Sequence, residues 1–203
     1  MNKLKSKTIE VEIRARLDDV DGFKRALVGC KAKYNEKIYL HDIYFCNREA
    51  KSIEDVEMNV VGSYSLRLRK QKKERHKEKL TVNTKTIISH GDHNAWEEHE
   101  TEISDFFEAA EILNTTEFKP FFELEKTRYI YLLDGMEICV EEIKDFGGAV
   151  EVEIMCESGE EVEAKKRIKA FLSKCNVEKD LIVPKSITNI IMKERAFKKA
   201  ISF

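Results

Sequence analysis

A chain of 203 residues suits one domain of ordinary size, and its 42% apolar content supports a core. Its 36% charged content is well above the usual ~25%, so either the surface is very polar or charge sits somewhere other than the outer surface. Thirty-six basic against 38 acidic residues give a net charge of −2, which argues against a nucleic-acid binder, and no run approaches the ~18 apolar residues of a membrane span.

Ile9 to Leu17 alternates strictly, with Ile9, Val11, Ile13 and Leu17 on one face and Glu10, Glu12, Arg14 and Arg16 on the other, the period of a strand with unlike faces. Asp18 to Lys33 reads as a helix capped by Asp19 or Asp21. Ile38 to Cys46 is a second strand, and Asn47 to Val61 a polar loop. Ser65 to Lys70 is a third strand, Gln71 to Lys77 a charged turn, and Lys79 to Ile88 a fourth strand. Ser89 to Asn94 is a turn before a fifth strand, Ala95 to Ile103, with Glu98, Glu100 and Glu102 on one face. Ser104 to Asn114 reads as a helix with Ser104 as its N-cap. Phe121 to Leu133, Met136 to Ile143 and Ala149 to Cys156 complete about eight strands, with Asp134-Gly135 a hairpin signal. Glu160 to Cys175 is an amphipathic helix, and Ser186 to Lys193 a short last one. Hairpin connections predict an antiparallel sheet.

Five cysteines, an odd number without CxxC spacing, speak against a disulfide framework and for reduced cytoplasmic thiols. The charged stretch Met1 to Lys7 lacks the apolar segment of a signal peptide.

The charged strand faces carry like-signed pairs two residues apart: Glu10/Glu12, Arg14/Arg16, Arg67/Arg69, Glu98/Glu100 and Glu151/Glu153. Like charges so placed repel unless the face is solvated or counter-ions neutralise it. One arrangement is an open sheet with a solvated polar face. The other is an α+β fold whose eight-stranded antiparallel sheet closes into a β-barrel with a charged lumen and flanking helices over the apolar faces. In that lumen carboxylates suit a hard cation and guanidinium forks suit phosphate, which describes a metal-bridged polyphosphate site.

The motifs resemble those of the CYTH superfamily, the triphosphate tunnel metalloenzymes. Glu10-Val11-Glu12-Ile13-Arg14 resembles the ExExK signature, His41 to Phe45 the HxDxYF strand, and Ser65 to Arg69 the ALRIR strand. Glu98 to Glu102 resembles EYExE, Glu125 to Arg128 the KxR strand, and Phe146 to Glu153 the LGxFxEIE segment, while Lys185-Ser186 sits where the family has a terminal SY. The resemblance runs in order from Ile9 to Ile191, is strongest to the class IV adenylate cyclase-like branch, and implies a single tunnel domain over residues 1–203. It implies metal ligation by Glu10, Glu12 and Glu153, with Glu151, Glu100 and Glu141 as further acidic groups, and Mg²⁺ or Mn²⁺ as cofactor. Arg14, Arg16, Arg67, Arg69, Lys126 and Arg128 are then phosphate ligands, and Glu10, Glu12 and Arg14 the catalytic set.

Three departures stand out: Arg14 replaces the signature Lys, Asn83 replaces the Lys of the LTxK strand with Lys85 as its substitute, and an Arg usual before EYExE is missing near Trp96. Arg14 clamps phosphate but cannot act as a base.

The implied activity is metal-dependent conversion of ATP to cyclic AMP and pyrophosphate. The alternatives are hydrolysis of tripolyphosphate, thiamine triphosphate or a nucleoside triphosphate, and non-catalytic polyphosphate binding. The partner expected is a small triphosphate, not nucleic acid or membrane; a homodimer is compatible, and the compartment is cytoplasmic. His90 and His93 lack the matched spacing of a zinc site, and His41 and His99 read as structural. The Lys70–Lys79 run reads as a solvated hairpin tip that could steer an anionic substrate.

Overall fold

The computed structural model describes residues 8–89, 95–198 and 201; Met1 to Lys7, His90 and His93 lie outside the described residues. Among the described residues, nine strands and four helices follow one another as β1 (Thr8–Leu17), α1 (Val20–Gly29), β2 (Lys33–Asn47), β3 (Tyr64–Lys73), β4 (Lys79–Ser89), β5 (Ala95–Glu102), α2 (Phe106–Asn114), β6 (Phe118–Leu133), β7 (Met136–Ile143), β8 (Gly147–Glu157), α3 (Glu161–Lys174), β9 (Ile182–Val183) and α4 (Ile187–Arg195). The expected α+β class and antiparallel sheet are present. Hydrogen bonds order the strands β5-β4-β3-β2-β6-β7-β8-β1-β9.

The strand count needs correcting, and closure into a barrel is not shown. The ninth strand was unread because two residues are too few to show alternation; it pairs Val183 with Arg14 and Ile182 with Ala15. The ladder has two ends, β5 and β9, so hydrogen bonds do not close it into a barrel among the described residues.

The chain divides into two compact units, Met1–Lys37 with Thr127–Ile187 and Ile38–Lys126 with Thr188–Phe203. In the first unit, Val11, Ile13, Ala15 and Leu17 of β1, Ile138 and Val140 of β7, and Val150, Val152 and Ile154 of β8 pack with α1 and α3. Phe23 and Leu27, one turn apart, fix the buried face of α1; Ala164, Ile168, Phe171 and Leu172 fix that of α3. In the second unit, Ile43, Phe45, Leu66 and Leu68 pack under Phe106 and Ala110 of α2. In β1, β7, β8, β2 and β3 the apolar half is thus packed against helix, and the alternate positions lie on the opposite face.

Local chemistry sets the ends. Asp19 caps α1 by accepting from Gly22 N at 2.7 Å. For α2 the cap is Asp105 rather than Ser104: its carboxylate accepts from Phe107 N at 2.9 Å and Glu108 N at 3.0 Å, and an ionised acceptor satisfies two orphan donors at once. Asp134 and Gly135 have φ of 47° and 76°, the left-handed pair a two-residue hairpin turn needs.

Gly148 opposes Leu17 in the β1–β8 ladder, and a Cβ there would lie 2.8 Å from the Leu17 carbonyl and overlap the Val20 side chain. Gly148→Ala is therefore expected to cost about 1–3 kcal/mol, read as a melting point lowered by several degrees. An unchanged melting point would contradict the close approach.

Candidate functional site

The β1–β8 and β7–β8 registers lay the polar face of the first unit out in rows. Glu12 stands opposite Glu153, which stands opposite Glu137. The next row holds Arg14, Glu151 and Cys139, and the one after it Arg16, Ala149 and Glu141. The face is graded from a purely acidic row, flanked by Glu10, to one that carries guanidinium groups.

Oxygens of Glu10, Glu12 and Glu153 lie within 4.8 Å of one another. A carboxylate-only donor set fits a hard, oxygen-loving divalent cation and not a soft one. Among the described residues this is the group of three close acidic ligands, and it contains neither His nor Cys.

The ionisation of the row reflects its crowding. Partial burial, a hydrogen bond to Glu151, and the charges of Glu10, Glu151 and Glu137 push Glu153 up to about 8. Glu12 is also raised, by burial first and by Glu151 and Glu10, against the pull of Arg14. The Cys139 thiol is pushed up to about 12 by burial, opposed by Arg128 and reinforced by Glu137, Glu153 and Glu151, so it is no thiolate ligand at neutral pH.

Most remaining site residues of this unit form ion pairs. Arg14 Nε donates to Glu151 at 2.7 Å, and its Nη2 contacts Glu12. Arg128 donates from Nε at 2.8 Å and Nη2 at 2.7 Å to one oxygen of buried Glu141. Burial opposes the Arg128 charge, but Glu141 more than compensates, and its proton affinity rises. The Arg16 guanidinium lies 5.0 Å from the centre of the Phe146 ring.

The second unit gathers the other basic candidates. Asp42, only 1% exposed, accepts from Arg69 Nε at 2.6 Å and Nη2 at 2.7 Å, with Arg67 Nη1 3.7 Å away. This carboxylate explains how two arginines share one strand face. Arg67 Nη2 donates to Asn83 at 3.3 Å, whereas Arg67 Nε and Thr81 Oγ1 are buried without a partner. Unsatisfied donors of this kind mark places where water or a ligand oxygen belongs. Lys85 pairs with Glu98 at 2.6 Å, Glu100 with Lys79 at 2.9 Å, and Lys126 is buried. His41 meets Glu123 at 2.7 Å, and exposed His99 meets Glu97 at 3.3 Å.

Of the six acidic candidates, Glu10, Glu12 and Glu153 come together; Glu151, Glu141 and Glu100 are each held by a cation. Glu137 and Asp42 were not singled out from sequence. Glu137 shares alternation with Cys139 and Glu141, a signal available but diluted by the thiol. Asp42 sits in the HxDxYF strand, whose mostly apolar neighbours Leu40, Tyr44 and Cys46 hide the pattern.

Similar folds occur among solved structures. The PH1819 protein of Pyrococcus horikoshii OT3 superposes with a TM-score of 0.67 at 21% identity, over 92% of this chain and 100% of its own. A candidate adenylate cyclase of Vibrio parahaemolyticus gives 0.63 at 17%, over 90% and 97%. A candidate adenylyl cyclase of Hippeastrum, described as having a dominant triphosphatase activity, gives 0.57 at 16%, over 92% and 95%. No curated protein matches the sequence. The CYTH domain profile matches residues 8–187, most of the chain and parts of both units, and the chain belongs to the CYTH domain family.

Proposed function

We propose that this protein is a divalent-metal-dependent enzyme that cleaves a triphosphate. The observation that carries the reading is the carboxylate group Glu10, Glu12 and Glu153 on a face that grades into arginines within two rows. Those three residues would hold Mg²⁺ or Mn²⁺. A bound cation of this kind supplies neutralisation of phosphate charge and activation of an oxygen.

Within the first unit Arg14 keeps Glu12 and Glu151 in place, and Arg16 and Arg128 are assigned to phosphate oxygens. Glu151, Glu141 and Glu100 are assigned to orienting Arg14, Arg128 and Lys79 rather than to the cation, because each contacts that partner and stands outside the close group of Glu10, Glu12 and Glu153. Arg67, Arg69, Lys85 and Lys126 are assigned to phosphate on the family resemblance, and the unsatisfied Arg67 Nε supports it. The family match takes in residues of both units, so one function is assigned to both as a single domain. Five free cysteines suit a reducing compartment, so we assign the protein to the cytoplasm.

Hydrolysis of the terminal phosphoryl group is the reading the residues favour. Arg14, with no basic lone pair at neutral pH, cannot take the proton of a ribose hydroxyl, whereas a cation-activated water makes a smaller demand on a base. Cyclisation of ATP is the second reading, supported by the resemblance to the class IV cyclase branch.

Incubation with ATP, tripolyphosphate or thiamine triphosphate and Mg²⁺ or Mn²⁺, with product identification, tests both. Orthophosphate is the expected product. Cyclic AMP with pyrophosphate would replace hydrolysis by cyclisation, and tight binding without turnover would overturn both. Glu10→Gln is expected to retain the fold by circular dichroism and lose at least ~10²-fold in turnover, as loss of a cation ligand should; wild-type rates would remove the metal assignment.

A further inference from the structure

The hairpin joining β3 and β4 carries Lys70, Lys72, Lys73, Arg75, Lys77 and Lys79 against Glu74 and Glu78, a net +4 within ten residues. The whole chain is −2, so the other 193 residues carry −6. A polyanion meeting this protein is repelled by its average charge and attracted by this segment.

Lys70, Lys73 and Lys79 are engaged. Lys79 pairs with Glu100 at 2.9 Å, and Lys70 lies over the Phe106 and Phe107 rings at 4.7 and 5.0 Å. Lys72, Arg75 and Lys77 are exposed, and no ion pair holds them among the described residues. A hairpin tip needs only polar residues of mixed sign to stay soluble. Three exposed cations against the two carboxylates Glu74 and Glu78 leave an excess of positive charge that contributes nothing to packing.

The tip continues β3, which leads back to the basic site residues. Along β3, alternation puts Lys73, Gln71, Arg69 and Arg67 on one face and Lys72 and Lys70 on the other, with Arg75 and Lys77 in the turn beyond. At ~3.4 Å per residue, Lys73 is about 14 Å from Arg69 and about 20 Å from Arg67 along β3, and Arg75 follows in the turn beyond Lys73. Those spans exceed the ~8 Å screening length at physiological salt but are close to its reach at low ionic strength.

We propose that the exposed tip, Lys72, Arg75 and Lys77, is a capture surface that draws a polyanionic substrate to the β3 arginines, so that affinity responds to ionic strength. This rests on the triphosphate reading above.

The test uses the full chain and inorganic tripolyphosphate with Mg²⁺, by calorimetry at low and high KCl. The triple variant K72Q/R75Q/K77Q is compared with K165Q/K166Q/K169Q, which removes the same charge from exposed positions of α3. Relative to wild type, the tip variant is expected to bind roughly tenfold more weakly at low salt, with the difference vanishing at high salt and kcat unchanged. The α3 variant is expected to bind like wild type. Equal weakening in both variants would assign the effect to net charge and overturn the capture surface, as would wild-type affinity in the tip variant. Failure of the wild type itself to bind at any salt would overturn the triphosphate reading, and this proposal with it.

Discussion

Glu153→Gln is expected to cut turnover of any triphosphate by more than the ~10–100-fold typical of losing an outer partner of a metal site, while raising the melting point of the metal-free protein at alkaline pH. Both follow from one row of side chains. Glu153 faces Glu12 on one side and Glu137 on the other, and its folded pKa is about 8 against an ordinary 4.5. Between those values the folded protein keeps a proton that the unfolded chain has released. Its contribution is fully present below pH 4.5 and is lost as pH rises through 8. Gln cannot ionise, so the variant should hold its melting point across that window while wild type declines. Saturating Mg²⁺ or Mn²⁺ should restore wild type and leave the variant unmoved. Metal affinity of wild type should climb with pH, by up to tenfold per unit, and level off near 8, because the cation displaces the proton. A pH-independent affinity would refute the shared acidic row.

Asp42→Asn should be the most damaging single change in the second unit. The carboxylate is 1% exposed and neutralises Arg69 through two hydrogen bonds, with Arg67 alongside. Asn keeps the shape and removes the charge, leaving two part-buried guanidinium groups face to face. Breaking a buried pair from one side costs about 3–5 kcal/mol, which for a chain of this length lowers the melting point on the order of 10 °C. Added tripolyphosphate should recover part of the loss, because an anion would then supply the missing charge. A variant melting within experimental error of wild type would show that the arginines do not depend on Asp42.

Much of this was legible in the sequence because period-two alternation survives wherever one strand face is helix-covered and the other charged. β1 and β8 are such strands: their alternation sets Glu10, Glu12 and Glu153 on the charged faces, and the family resemblance is what singles out these three as a cation set. Partnership across strands was less legible. Arg14 reads as a phosphate clamp in isolation, but the register sets Glu151 opposite it. Asp42 is surrounded by Leu40, Tyr44 and Cys46, so the strand looks like buried core and its charge like an exception. Ser104 and Asp105 are both acceptable caps by residue type, and only the chain's path decides between them. β9 is two residues long and leaves no periodic trace.

The strand order has a further bearing on how copies of this chain behave together. β5 stands at one end of the ladder, with Glu97, Glu98, Glu100 and Glu102 exposed along it. A terminal strand offers a template onto which another molecule can add its own backbone, and charged side chains exposed along it deter such growth. Replacing Glu97, Glu98, Glu100 and Glu102 with Gln should therefore leave the protein far more prone to self-association than wild type.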